Sequence, residues 1–156
     1  MAAKIEIGKK VPNFKVPSSS GEDFELLSLK GNKIVLYFYP KDNTPGCTIQ
    51  GNEFNGLLAQ FKKENTVVLG VSRDSIKSHD KFIEKFNFKF ALLSDQDEEL
   101  CKIFDVIKEK NMYGKKVMGI ERSAFVIDEN QKLVAEFRKV KAEGNAAQVL
   151  EFIKSL

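Results

Sequence analysis

Ile34-Val35-Leu36-Tyr37-Phe38-Tyr39 is apolar at every position and runs directly into Pro40-Lys41-Asp42-Asn43-Thr44-Pro45-Gly46-Cys47-Thr48-Ile49-Gln50. An unbroken apolar run of that length suits a strand covered on both faces, as in a parallel sheet flanked by helices. The Pro/Gly-rich turn then leads into Phe54, Leu57, Leu58 and Phe61, spaced i, i+3, i+4, i+7. That spacing predicts one helix over roughly 48–63. The turn therefore lies at the carboxyl end of a buried strand and the start of a helix, where ligands bind in open α/β sheets.

Working outward, residues 66–71 (TVVLGV) read as a second buried strand. Ser75 or Ser78 can cap a helix whose inner face is His79, Phe82, Ile83 and Phe86. Residues 90–93 read as a third strand, and Leu100, Ile103 and Phe104 mark a further helix. Residues 123–127 and 132–137 flank Asp128-Glu129-Asn130-Gln131 as a β-hairpin. Asn145 is expected to cap a last helix with Val149, Leu150 and Ile153 inside. Residues 1–32 hold short strand-like pieces around turns, and residues 105–121 read as a long loop near the functional end. The order β-α-β-α-β-α-β-β-α gives an α/β protein. No repeat or linker divides the 156 residues, so one domain over 1–156 is expected.

Composition excludes several classes. Lys and Arg number 25 against 22 Asp and Glu, a net charge of +3 with no strongly basic half, so a nucleic-acid footprint is not expected. The longest apolar run is far short of a membrane span, and residues 1–10 lack the apolar core and cleavage site of a signal peptide. A cytoplasmic protein is expected. Two cysteines, Cys47 and Cys101, are too few for a disulfide scaffold, and with the single histidine they cannot fill a four-ligand structural zinc site. No metal or other cofactor is expected. His79, on an apolar helix face, reads as a core-edge histidine.

Cys47 falls in the first turn of its helix, where free backbone N–H groups and the positive end of the dipole favour an anion. A thiol so placed is a nucleophile, whereas most free cysteines simply fill space. Thr44-Pro45-Gly46-Cys47 has the form of a thioredoxin-type Cys-x-x-Cys with threonine in the first position. Dithiol exchange needs a second thiol nearby, which Thr44 cannot supply. A thiolate beside a hydroxyl and open N–H groups is instead suited to attacking a peroxide oxygen. Arg122, one of only three arginines in a chain with 22 lysines, stands at the entry to a strand, where a fixed fork of donors is useful.

Pro40-x-x-x-Thr44-x-x-Cys47 matches the peroxiredoxin signature. The fuller Tyr37-Phe38-Tyr39-Pro40-Lys41 with Thr44-Pro45-Gly46-Cys47-Thr48 resembles the bacterioferritin-comigratory-protein, or peroxiredoxin Q, branch. Blocks at 8–14, 69–74, 92–95, 113–115 and 119–128 extend the resemblance along almost the whole chain. It implies a thioredoxin-like fold, a central mixed β-sheet flanked by helices, carrying a thiol-dependent peroxidase. Cys47 would be the peroxidatic cysteine, oxidised to sulfenic acid. Thr44 would hydrogen-bond the peroxide, Pro40 would shield the sulfenic acid, and Arg122 would hold the thiolate and orient the peroxide. Gly46 and Gln50 would support them.

The chain departs from the branch in its second thiol. Many members carry a resolving cysteine five residues after the first, where this chain has Asn52, and others carry it in the next helix, around 82–86, where it has none. Cys101 is the remaining candidate, against a reading as a buried helix cysteine. The expectation is a one-Cys mechanism in a monomer, regenerated by thioredoxin, glutaredoxin or glutathione. A peroxide sensor, a thioredoxin-fold binding protein and a two-Cys enzyme using Cys101 are the alternatives.

Overall fold

The computed structural model describes residues 5–156. After two short paired strands, β1 (Lys15–Val16) and β2 (Phe24–Glu25), the chain enters β3 (Lys33–Phe38). There follow α1 (Pro45–Gly56), α2 (Leu58–Lys63), β4 (Thr66–Ser72), α3 (Ile76–Phe86), β5 (Leu92–Ser94) and α4 (Glu99–Phe104). The C-terminal part comprises β6 (Ile107–Met112), β7 (Lys115–Ile120), β8 (Ser123–Ile127), β9 (Leu133–Phe137) and α5 (Asn145–Lys154). The main sheet has the order β5-β4-β3-β8-β9, parallel across β5-β4-β3 and antiparallel across β3-β8-β9. This is the expected mixed sheet, with β3 at its centre.

Because successive side chains of a strand point to opposite faces, β3 divides its run between two cores. Ile34, Leu36 and Phe38 join a core that includes Leu100, Cys101, Ile103 and Phe104 of α4, together with Phe14 and Val16. Val35, Tyr37 and Tyr39 join the other, which holds Cys47 and Phe54 of α1, Phe61 of α2, Phe82 of α3 and Val149 of α5. Burial on both faces is why the sequence of β3 shows no alternation. Each fully buried apolar side chain here contributes about 1.5–3 kcal/mol.

Four expectations need correction. The helix predicted over 48–63 starts earlier, at Pro45, and is broken at Leu57 (φ −100°, ψ 4°) into α1 and α2. The stretch 105–121 is a hairpin, not a loop: β6 and β7 pair from Ile107↔Ile120 to Met112↔Lys115 around Tyr113-Gly114. Both turn residues have positive φ (54° and 78°), the backbone that two-residue hairpins require and that glycine adopts freely. This ribbon is exposed along most of its length, so no buried face stamps a period-two pattern on its sequence. The strand predicted over 90–93 runs over Leu92–Ser94. Asn145 is the first residue of α5 and not its cap, and its buried side chain serves the Cys47 region instead.

Candidate active site

The chain leaves β3, and Tyr39 N–H donates to the Val71 carbonyl (3.0 Å) before the turn begins at Pro40. Thr44 is the residue before α1, in extended conformation (φ −94°, ψ 157°). Pro45 follows as the first helical residue, where its fixed φ fits and its missing N–H costs nothing. Thr48 N–H closes the first helical bond on the Thr44 carbonyl (2.9 Å). Gly46 and Cys47 therefore occupy the first turn, where helix geometry offers their N–H groups no intrahelical acceptor. The Thr44 hydroxyl does not cap the helix. It donates to the Lys41 carbonyl (2.8 Å), which leaves its oxygen lone pairs free to accept.

Arg122 reaches this turn from the residue before β8. Its Nη2 donates to Cys47 Sγ (3.5 Å) and its Nη1 to Gln50 Oε1 (2.6 Å). Gln50 is wholly buried and passes the chain on, donating from Nε2 to Asn145 Oδ1 (2.8 Å). The guanidinium is thus held at both ends of one helical turn, and α5 is tied to α1 through the same residues. Gly46 makes room for it: a Cβ there would lie 3.0 Å from Arg122 Nη2. Cys47 itself is 2 % exposed, at the edge of the core that contains Tyr37, whose ring stacks on Phe54 at 4.4 Å.

The sequence-derived set Cys47, Thr44, Arg122, Gly46 and Gln50 therefore converges on one helical turn, with Pro40 opening the loop that leads to it. Two features were missed. Gln50, expected as a supporting residue, donates onward to Asn145, which stands 95 residues away and was not anticipated at this site. Lys110 of β6 donates to the Ile120 carbonyl, two residues before Arg122, and burial followed by the Arg122 charge holds its ammonium below the usual lysine range. Residues so far apart in sequence leave no local signal.

Cys101 is placed apart from all of this. It lies in α4, in the core on the opposite face of the sheet from Cys47. The Asp95 carboxylate accepts the N–H groups of Leu100 (3.0 Å) and Cys101 (2.8 Å). Burial, reinforced by the Asp95 charge, pushes the Cys101 thiol well above the usual cysteine range. Neither cysteine is paired, and no group of metal-ligating side chains is found among the described residues.

Residues 7–136 match the AhpC/TSA family. A protein named peroxiredoxin Bcp from Xanthomonas campestris is 50% identical over 153 residues, covering 98% of this chain and 96% of that one. A peroxiredoxin Bcp from Bacillus subtilis is 45% identical over 152 residues, 97% of each chain. Among solved structures, a Xanthomonas campestris bacterioferritin comigratory protein, described for its alkyl peroxide reduction activity, superposes with a TM-score of 0.89 at 49% identity. The match covers 99% of this chain and 98% of that one.

Proposed function

The chain belongs to the AhpC/TSA family and is a peroxiredoxin, a thiol peroxidase with a thioredoxin-like fold, and on that premise we propose that Cys47 attacks the peroxide in a one-Cys cycle. The observation that carries the assignment is the pair of bonds by which Arg122 spans Cys47 Sγ and Gln50 across the first turn of α1. The thiolate is the attacking species. Its sulfur forms a bond to one peroxide oxygen as the O–O bond breaks, so sulfur loses two electrons and the peroxide gains them. The departing oxygen leaves as hydroxide or alkoxide and takes up a proton from solvent, giving water or an alcohol and Cys47 sulfenic acid.

Each neighbour has a part in that step. The Arg122 guanidinium and the free first-turn N–H groups donate to oxygens on which charge develops, and such donors are each worth about 10²–10³ in rate. Thr44, its own hydrogen committed to Lys41, accepts the peroxide O–H and sets the line of attack. Pro40 covers the sulfenic acid from further oxidant. Hydrogen peroxide and organic hydroperoxides are the substrates, the latter supported by the alkyl peroxide reduction described for the Xanthomonas relative.

Regeneration falls to an external thiol: thioredoxin, glutaredoxin or glutathione. One thiol displaces water from the sulfenic acid to form a mixed disulfide, and a second thiol releases Cys47. Two observations support this over resolution by Cys101. The sheet separates the two sulfurs, whereas a disulfide needs Cα atoms within about 7 Å. Cys101 is also held as the unreactive thiol. The enzyme acts as one domain and a monomer, in a cytoplasm where both thiols stay reduced. Stopped-flow oxidation by hydrogen peroxide tests the assignment: Cys47→Ser is expected to show no reaction, while Cys101→Ser reacts at the wild-type rate. A Cys101→Ser protein inactive with every thiol donor would contradict the one-Cys cycle.

A further inference from the structure

Asp42, within the loop that presents Thr44, forms a buried pair with His79 of α3. The Asp42 side chain is 3 % exposed and that of His79 is wholly buried. Asp42 Oδ1 accepts from the Tyr39 hydroxyl (2.6 Å), at the end of the strand from which the loop departs. Its Oδ2 accepts from the Ser78 hydroxyl (2.8 Å) and stands 2.7 Å from His79 Nδ1. The Asp42 backbone N–H donates to Asp74 Oδ2 (2.9 Å), which also accepts from the Ser72 hydroxyl (2.6 Å). On its other side the His79 ring faces β5, with Nε2 at 2.8 Å from the Leu93 carbonyl.

The hydrogen-bond inventory fixes one ring proton. A backbone carbonyl only accepts, so Nε2 carries hydrogen. Asp42 accepts from the Tyr39 and Ser78 hydroxyls and shares one further hydrogen with Nδ1, so every polar atom of the pair is engaged. Tyr39 is a dependable donor, because burial first, and the neighbouring Tyr37 and Asp42 after it, hold its hydroxyl well above the usual tyrosine range. The ring and the Asp42 side chain are thus joined by a short buried hydrogen bond. Losing either partner leaves a buried polar group of the other without its hydrogen bond, which is destabilising. Asp42 relieves that only by swinging outward, and Thr44 is two residues away. The intervening Asn43 is already in the left-handed region (φ 60°) and is tied to α3 by Lys85 Nζ (3.2 Å).

We infer that His79 is a positioning residue for peroxide reduction: its ring, bonded to Asp42 on one side and to the Leu93 carbonyl on the other, clamps Asp42 and thereby fixes the Pro40–Thr44 loop in the geometry that aims Thr44 at the peroxide. The inference rests on Cys47 being the attacking thiol. It assigns His79, unused by the site residues named above, to the working of the loop across a bond spanning 37 positions in sequence.

The test compares two reactions of one sulfur. Attack on hydrogen peroxide needs the aligned loop, whereas alkylation by iodoacetamide needs only an accessible thiolate. His79→Phe is expected to lower the peroxide rate on the order of tenfold to a hundredfold, with the iodoacetamide rate changed less than about threefold. A peroxide rate within about twofold of wild type, or both rates falling in parallel, overturns the inference. A second measurement needs no variant. His79 is the only histidine, so its ring ¹⁵N resonances are assignable directly in the wild-type protein. Both nitrogens are expected to show hydrogen-bonded shifts, with Nε2 as a donor, and a ring nitrogen free of a hydrogen bond overturns the clamp whether or not His79→Phe folds. Peroxide reduction surviving in Cys47→Ser would instead remove the thiol assignment and leave the ring spectrum unchanged, so the two readings fail separately.

Discussion

Cys47 and Cys101 occupy the same position in two helices, the third residue of α1 and the third residue of α4, and both are almost completely buried (2 % and 1 % exposed). Their surroundings are opposite. The first turn of α1 faces a guanidinium, and its first N–H groups have no intrahelical acceptor. The first turn of α4 is closed by the Asp95 carboxylate, which takes the N–H groups of Leu100 and Cys101 and sets negative charge beside the sulfur. A helix N-terminus is therefore not enough to make a cysteine reactive. What occupies its open N–H groups, and with which charge, decides the outcome.

The largest expected effect comes from erasing Cys47, the member proposed to react. Cys47→Ser should reduce peroxide consumption with any thiol donor to the uncatalysed background, read by stopped-flow or coupled assay. Next is Arg122→Met, which gives the first turn of α1 no cation and so makes it resemble α4. The second-order rate with hydrogen peroxide should fall about 100-fold. Gly46→Ala probes the same contact by crowding. The added methyl meets the guanidinium at 3.0 Å, so the rate should fall about tenfold while urea unfolding changes little.

The smaller effects fall on the other side of the comparison. Cys101→Ala should leave the peroxide rate within about twofold of wild type and cost about 1–2 kcal/mol of stability in urea unfolding. In the native wild-type protein, iodoacetamide at pH 8 should label Cys47 and spare Cys101, and both should react in denaturant. Cys101 also gives a pH signature. Its thiol is raised on folding from an ordinary value of 9.0, so the unfolded chain loses that proton first. The contribution is present below that value and is lost as pH rises above it. Between pH 8 and 10 wild type should thus lose more stability than Cys101→Ala.

How much of this was legible in the sequence follows from range. The Ile34–Tyr39 run, the turn at Pro45-Gly46 and the i, i+3, i+4, i+7 spacing are local, and they placed β3, the loop and α1 and put Cys47 in a first turn. The kink at Leu57 left no mark, since Leu57 and Leu58 both satisfy the helical pattern. The β6-β7 ribbon escaped because an exposed two-stranded sheet has no buried face to imprint on its residues. In the site, the Thr44–Cys47 motif was visible by spacing, and Arg122 mainly through the family resemblance. Asn145, Lys110 and the Asp42–His79 pair were not, because each meets its partner only once the chain has folded. His79 shows the cost most plainly: its apolar neighbours on α3 suggested a core-edge histidine, while its two polar partners lie on the Cys47 loop and on β5.

The claim that one cysteine is reactive and the other is walled off is tested most directly by intact mass and free-thiol count. Fully reduced protein is treated with one equivalent of hydrogen peroxide in the absence of any thiol donor. The account predicts a gain of one oxygen atom, located on Cys47 by a sulfenic-acid trap, with Cys101 still titrating as a free thiol. Loss of both thiols as an intramolecular Cys47–Cys101 disulfide would contradict it, since α1 or α4 would then have to leave its face of the sheet during turnover.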